Sequence, residues 1–135
     1  MKKIYVYMCA MAAMTACGSE DDASPDKAEA NLASIQENIF DVSCATSGCH
    51  DASSQEGDLN LSDADTSYAQ LVSVAAVDTD AGGLERVTAG NAADSVLVMR
   101  LSGTDLGPRM PQGSAVLPDK AIAAITSWIN AGAAK

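Results

Sequence analysis

The sequence predicts an all-α domain, and three observations lead to that fold class. Four segments of the chain place apolar residues at the three- and four-residue spacing of an amphipathic helix. No segment shows a convincing alternation of apolar and polar residues, the pattern of a half-buried strand. Proline and glycine residues separate the segments, as they do at helix ends. The predicted helices cover residues 25–41, 67–77 and 92–101, and a fourth begins at Pro118.

The first predicted helix has a recognisable start. Pro25 suits the first helical position, and Ser24 suits the N-cap position before it. Up to Asp41, apolar side chains then recur at helical spacing, at Ala28, Leu32, Ile35 and Ile39. The helix is therefore expected to run directly into the cysteine-containing segment that follows.

The other three helices are predicted from similar patterns. Residues 67–77 have an apolar face, but two valines in this range also suit a strand. Residues 92–101 precede Gly103, which is expected to end the third helix. The last helix is expected to begin at Pro118 and to end at Gly132. Its apolar stripe consists of Ile122, Ile125, Trp128 and Ile129.

The N-terminal segment has the features of a bacterial export signal. Lys2 and Lys3 precede an apolar run over residues 4–16, which is typical of a secretory signal peptide. The run is shorter than the roughly 20 apolar residues that a membrane-spanning helix needs. Residues 14–17, Met-Thr-Ala-Cys, resemble a lipobox, and this resemblance implies cleavage before Cys17 and lipidation of its thiol. An ordinary signal peptide followed by an unrelated cysteine is the alternative.

These signals define the expected organisation and location of the protein. The parts are a signal peptide over 1–16, a lipidated acidic tether over 17–24, and one folded domain over 25–135. The protein is then expected in the bacterial cell envelope, anchored by lipid and facing the periplasm or the cell exterior.

The net charge excludes some classes of partner. Eight basic and eighteen acidic residues give the chain a net charge of −10, and loss of Lys2 and Lys3 with the signal peptide makes it −12. Such a surface repels nucleic acid and anionic lipid. Membrane attachment is therefore expected through the N-terminal lipid alone, and a partner protein is expected to dock through a basic patch.

Cys44, Cys49 and His50 form the most informative motif in the chain. Their pattern, C-x4-C-H, is a longer form of the C-x-x-C-H haem attachment signal. The thiols can form thioethers with the two vinyl groups of haem, and the adjacent imidazole can bind the iron. A disulfide between the two cysteines is one alternative. A zinc site is another, although His50 is the only histidine in the chain and the other two cysteines lie near the N-terminus.

The composition of the core also favours a cofactor. After removal of the signal peptide, the chain contains only three aromatic residues: Phe40, Tyr68 and Trp128. Small domains bury a low fraction of their surface and often need an additional stabilising element. A covalent haem would supply a large apolar body, whereas a disulfide across a four-residue gap would close only a short loop.

Residues 25–135 resemble the class I c-type cytochromes. The resemblance rests on Ile39-Phe40 before Cys44, on Gly48-Cys49-His50, on Met110-Pro111, and on a final helix with Trp128-Ile129. It implies an all-α, cytochrome c-like domain wrapped around one covalent haem c, and one-electron transfer. The gap between the cysteines is two residues longer than usual.

The second axial ligand of the iron is predicted to be Met110. His50 can occupy only one axial position, and Met99 and Met110 are the only methionines outside the signal peptide. Met99 lies in an apolar helical run and is interpreted as a core residue. Met110 lies in a loop with Pro108 and Pro111, before the final helix, where class I cytochromes place this ligand. Arg86 and Arg109 are candidate partners of the haem propionates.

The predicted function is the transfer of single electrons between redox partner proteins, without enzymatic activity. His50 is the only histidine, so acid–base and Ser/His/Asp catalysis by another histidine is excluded. One alternative is a five-coordinate haem protein that acts as a small-ligand sensor or a peroxidase-like enzyme. The other is a disulfide-bearing lipoprotein binding module that contains no haem.

Overall fold

The computed structural model describes residues 22–77, 81–103 and 106–135, and these residues contain helices and no β-strand. The described part of the chain is therefore mostly helical, which agrees with the predicted all-α fold class. We number the four α-helices α1 (Leu32–Ile35), α2 (Ala64–Leu71), α3 (Val96–Ser102) and α4 (Asp119–Asn130). A π-helical segment, Gln36–Cys44, continues α1, and short 3-10 turns span Pro25–Lys27 and Glu56–Asp58. The signal peptide and Cys17 lie outside the described residues.

The prediction of one continuous helix over residues 25–41 is wrong, because polar side chains interrupt it and cap a new helix. After the Pro25–Lys27 turn, Ala28 is extended, with ψ at 132°. Asn31 then acts as the N-cap of α1, and its side chain accepts a hydrogen bond of 2.9 Å from the backbone N–H of Ser34. The Ser34 hydroxyl in turn accepts from the backbone N–H of Glu29 at 2.9 Å. Such local bonds compete with a continuous helix and favour a cap.

The second helix begins and ends earlier than predicted. Asp63 caps α2 by accepting a hydrogen bond of 2.9 Å from the backbone N–H of Thr66. Beyond Leu71 the chain becomes extended, because residues 72–76 pair with residues 84–87 through isolated bridges and backbone hydrogen bonds. Of the two valines that also suited a strand, Val74 lies in this extended segment, whereas Val77 lies in a bend just beyond it.

The last two helices agree well with the sequence prediction at their C-terminal ends. Gly103 follows α3 in the left-handed conformation, with φ at 76°, as a C-cap glycine does. Pro118 directly precedes α4, and Gly132 lies just beyond its end with φ at 105°. α3 begins four residues later than predicted, because the buried Ser95 side chain donates to the Asn91 carbonyl and holds residues 91–95 in a turn.

The hydrophobic core joins the first and last helices. α4 packs against α1 and against the Pro25–Lys27 turn. The largest of the fully buried side chains are Phe40, Ile35, Ile39, Leu61, Leu71, Ile125 and Ile129. Within the described part of the chain, no helix combines the length and apolar character needed to cross a membrane.

A buried polar cluster centred on Gln36 connects three segments of this core. The Gln36 amide donates to the Leu61 carbonyl at 2.7 Å and to the Asp41 carboxylate at 2.6 Å. The buried Ser67 hydroxyl donates to the Gln36 side-chain oxygen at 2.7 Å. Since the backbone N–H of Leu61 donates to the His50 carbonyl at 2.8 Å, Gln36 helps to fix the segment that carries His50.

Replacing Gln36 with alanine is expected to destabilise the fold by roughly 1–3 kcal/mol, because the Leu61 carbonyl and Ser67 hydroxyl would lose a buried partner. Urea unfolding followed by circular dichroism measures this change. Glu37→Ala is the matched control, because Glu37 is the exposed neighbour in the same helical segment. Equal unfolding midpoints for the two variants would contradict the role of Gln36.

Candidate functional site

One cavity collects all four residues that the sequence nominated as haem ligands or attachment points. Its volume is about 460 Å³, and its wall includes Cys44, Cys49, His50 and Met110. Cofactor sites usually measure roughly 300–1,000 Å³, so the volume suits an organic cofactor. The first three residues come from one short segment, whereas Met110 comes from a loop about sixty residues further along the chain.

The segment from Cys44 to His50 folds into a closed loop. Cys44 is the last residue of the π-helical segment. The backbone N–H of His50 donates to the Cys44 carbonyl at 3.1 Å, and that of Cys49 donates to the Thr46 carbonyl at 3.0 Å. Gly48 has φ at 82°, which lets the chain turn back without strain. The four intervening residues are therefore accommodated as a turn, and both cysteines and His50 reach the same cavity.

The imidazole of His50 has an unsatisfied nitrogen. Its Nδ1 is buried and is the one buried side-chain nitrogen or oxygen, within the described residues, that lacks a hydrogen-bond partner. Buried polar atoms in folded proteins almost always have a partner. The missing interaction at His50 therefore points to a ligand, in keeping with its position on the cavity wall.

The two cysteine thiols on the cavity wall are free. Burial raises the pKa of the Cys44 thiol to about 12, and the neighbouring Cys49 adds to this effect. The thiolate is the form that attacks disulfides and binds metal ions, so Cys44 is poorly suited to either role near neutral pH. Among residues 22–77, 81–103 and 106–135, no three His, Cys, Asp or Glu side chains form a potential metal-ion site, so the zinc alternative finds no ligand set there.

Met110 is held at the cavity by its backbone. Its N–H donates to the Arg100 carbonyl at 2.8 Å, which ties the loop to α3. Its side chain is partly buried, packs against the hydrophobic core and lines the cavity. Met99 also lies on α3, but it is only partly buried and is not among the cavity-lining residues. Met99 was interpreted as a core residue, but it is not part of the buried hydrophobic core. Of the two methionines, Met110 alone lines the cavity.

The rest of the cavity wall is mainly apolar, with three charged side chains. The apolar part comes from Leu59, Leu61, Leu71, Ala76, Val77, Val96, Leu97 and Leu101. Glu56, Arg86 and Arg100 supply the charges. Arg109 lies instead in a separate cleft between α3 and α4. Sequence reasoning missed Arg100, although its spacing from Val96 and Leu97 places all three on one face of a helix.

These residues fit a covalently attached, flat apolar metal complex. The thiols of Cys44 and Cys49 lie on the cavity wall beside the His50 imidazole, whose buried Nδ1 has no hydrogen-bond partner. The Met110 thioether, from a loop distant in sequence, lines the same cavity. The apolar wall suits the faces of a macrocycle, and the arginines suit acidic substituents at its edge. The chain matches no protein-family profile, no curated protein and no solved structure.

Proposed function

We propose that this protein is a lipid-anchored monohaem c-type cytochrome, with a class I cytochrome fold, that carries single electrons between redox partners. One observation supports it above the others. Two thiols, an imidazole and a thioether, from parts of the chain about sixty residues apart, line one apolar cavity. Each of these four groups has a distinct task in holding one haem c.

The chain's own residues would divide those tasks. Cys44 and Cys49 would hold the haem covalently, and His50 and Met110 would supply the two protein ligands of its iron. The bound haem would supply the redox chemistry, as its iron alternates between the ferrous and ferric states. The apolar wall would exclude water, and a methionine ligand would raise the reduction potential. With both His50 and Met110 bound to the iron, the site would favour electron transfer over catalysis at the iron.

An optical spectrum tests this function directly. The full chain is expressed with a periplasmic cytochrome c maturation system, and spectra are recorded with and without a reductant. We expect the sharp absorption bands of a reduced low-spin haem, and we expect colour to stay with the band after acid–acetone extraction and denaturing electrophoresis. A colourless protein would overturn the proposal, and rapid carbon monoxide binding by the reduced wild type would favour the sensor or enzyme alternative.

The lipid anchor belongs to the same proposal and is supported by the lipobox-like residues 14–17. Cys17→Ala is expected to move the protein from the membrane fraction to the soluble fraction or to block its processing. Cys9→Ala is the matched control, since Cys9 lies within the predicted signal peptide. Fractionation and intact mass measure both effects. Unchanged membrane association and mass in Cys17→Ala would contradict lipidation.

The redox partner is expected to present a basic surface. The processed chain would have a net charge of −12, which attracts positively charged proteins over long distances. Association steered in this way slows steeply as salt screens the charges.

A further inference from the structure

The loop that carries Met110 is attached to α3 at two points, and both involve Arg100, which lies in the last turn of that helix. The backbone N–H of Met110 donates to the Arg100 carbonyl at 2.8 Å. Nη1 of the Arg100 guanidinium donates to the Leu106 carbonyl. The main chain and the side chain of one residue therefore hold both ends of the segment 106–110.

Gly107 allows the guanidinium of Arg100 to lie directly against this loop. A Cβ atom at position 107 would lie 2.5 Å from Arg100 Nη1, closer than non-bonded atoms approach each other. Gly107 also has φ at 98°, a conformation that residues with a side chain rarely adopt. The absence of a side chain at this position thus leaves room for the hydrogen bond to the adjacent Leu106 carbonyl.

The bonds to Arg100 carry a large share of the hydrogen bonding of this loop. Between residues 106 and 117, the bond from Met110 is the one backbone–backbone hydrogen bond to another described residue. The bond to Leu106 has a charged donor, and such bonds are roughly twice as strong as those between neutral groups. Arg100 is also half-buried on the cavity wall, so water competes with the Leu106 bond only in part.

We propose that Arg100 is a positioning residue, which holds the loop so that the Met110 thioether stays on the iron of the proposed haem. This inference rests on the proposed function and adds to it the group that keeps its methionine ligand in place. A ligand on a loosely held loop must be ordered each time it binds, and that ordering costs entropy. Replacing a residue that orients a metal ligand typically lowers metal affinity or activity by about 10- to 100-fold.

Arg100→Gln is expected to let Met110 leave the iron more often. Carbon monoxide competes with the Met110 thioether for the reduced iron, so its binding rate should rise by about 10- to 100-fold, without reaching the rate of Met110→Ala. The weak sulfur-to-iron charge-transfer band expected in the far red of the oxidised protein should also disappear at a lower temperature. Lys120→Gln removes the same charge from an exposed position on α4 and should change neither property.

A second pair of variants separates the position of the loop from the charge of Arg100. In Gly107→Ala the charge remains, but the new methyl group would push the flexible end of Arg100 away from Leu106. Carbon monoxide binding should therefore rise as it does in Arg100→Gln. Gly113→Ala is the matched control, because Gly113 also has a positive φ, 69°, but a Cβ there would meet no described atom within 4 Å. This variant bears backbone strain as well, yet it should bind carbon monoxide at the wild-type rate.

Amide hydrogen exchange tests the same role without reference to the iron. In the native chain the Met110 N–H is protected by its bond to the Arg100 carbonyl. Its exchange, measured on the full chain, should become about tenfold faster or more in Arg100→Gln and Gly107→Ala. Lys120→Gln and Gly113→Ala should exchange this proton at the wild-type rate.

The outcomes separate two questions. A colourless wild type overturns the proposed function and, with it, the role of Arg100 toward the iron. Haem-containing Arg100→Gln and Gly107→Ala proteins with wild-type carbon monoxide rates and far-red bands overturn the role of Arg100 alone, as does unchanged exchange at Met110. If Arg100→Gln does not fold or mature, Gly107→Ala is compared with Gly113→Ala, and equal carbon monoxide binding by these two overturns the role.

Discussion

Met110→Ala is expected to abolish a weak sulfur-to-iron charge-transfer band in the far red of the oxidised protein. It should also lower the reduction potential and open the iron to carbon monoxide. The reason is that Met110 reaches the cavity that His50 lines, and no second histidine exists in the chain. In the proposed haem site, removal of the Met110 thioether would leave His50 as the one strong ligand that the protein supplies to the iron. Far-red absorption, potentiometry and carbon monoxide titration measure the three effects.

Met99→Ala is the control for this experiment. Met99 is not among the cavity-lining residues, so the far-red band, the potential and the resistance to carbon monoxide should all persist. Because Met99 is only partly buried, its loss should cost less than the roughly 2–5 kcal/mol typical of a buried methionine. A band that survives in Met110→Ala and disappears in Met99→Ala would reverse the ligand assignment.

The double variant Cys44→Ala, Cys49→Ala is expected to lose covalent haem completely, because these two are the only thiols of the described residues and both line the cavity. Each single variant should retain at most one thioether and should mature poorly. Haem staining after denaturing electrophoresis and intact mass measure the attachment. Ser47→Ala is a suitable control, since Ser47 is an exposed residue of the same loop and carries no thiol.

Colour that remains with the denatured double variant would show that attachment occurs elsewhere or by another bond. Normal haem content in Ser47→Ala is needed as well, because it shows that the loop tolerates an alanine. The double variant, the two single variants and Ser47→Ala together distinguish loss of the thiols from damage to the turn. That turn is closed by the hydrogen bond from the His50 N–H to the Cys44 carbonyl.

Local signals explain what the sequence could predict of the fold. The ends of α3 and α4 depend on Gly103, Pro118 and Gly132, whose effects act within a few residues. The interruption before α1 was missed because the N-cap hydrogen bonds of Asn31 and Ser34 outweighed a continuous apolar pattern. The end of α2 was missed for a different reason. Residues 72–76 become extended because they meet residues 84–87, a pairing that helical periodicity does not reveal.

In the candidate site, too, some residues could be grouped from local sequence, whereas others are brought together only by the fold. Cys44, Cys49 and His50 are adjacent in sequence, so their spacing alone was enough to group them. Met110 was predicted as a ligand from its position in the loop before the final helix, and the structure brings it to the same cavity. The sequence suggested Arg86 and Arg109 but not Arg100, because only the fold shows that Arg86 and Arg100 line the cavity and that Arg109 lies in the cleft beside α4.

The packing of α4 on α1 affects the order in which this domain can fold. Ile35 and Ile125 belong to one core, although ninety residues separate them in the chain. Closing so long a loop costs entropy that is repaid only when α4 docks. If the proposed export proceeds from the N-terminus, the core cannot be completed until the last residues of the chain emerge. We expect the segment 44–50, which precedes α4 by about seventy residues, to remain accessible during that interval.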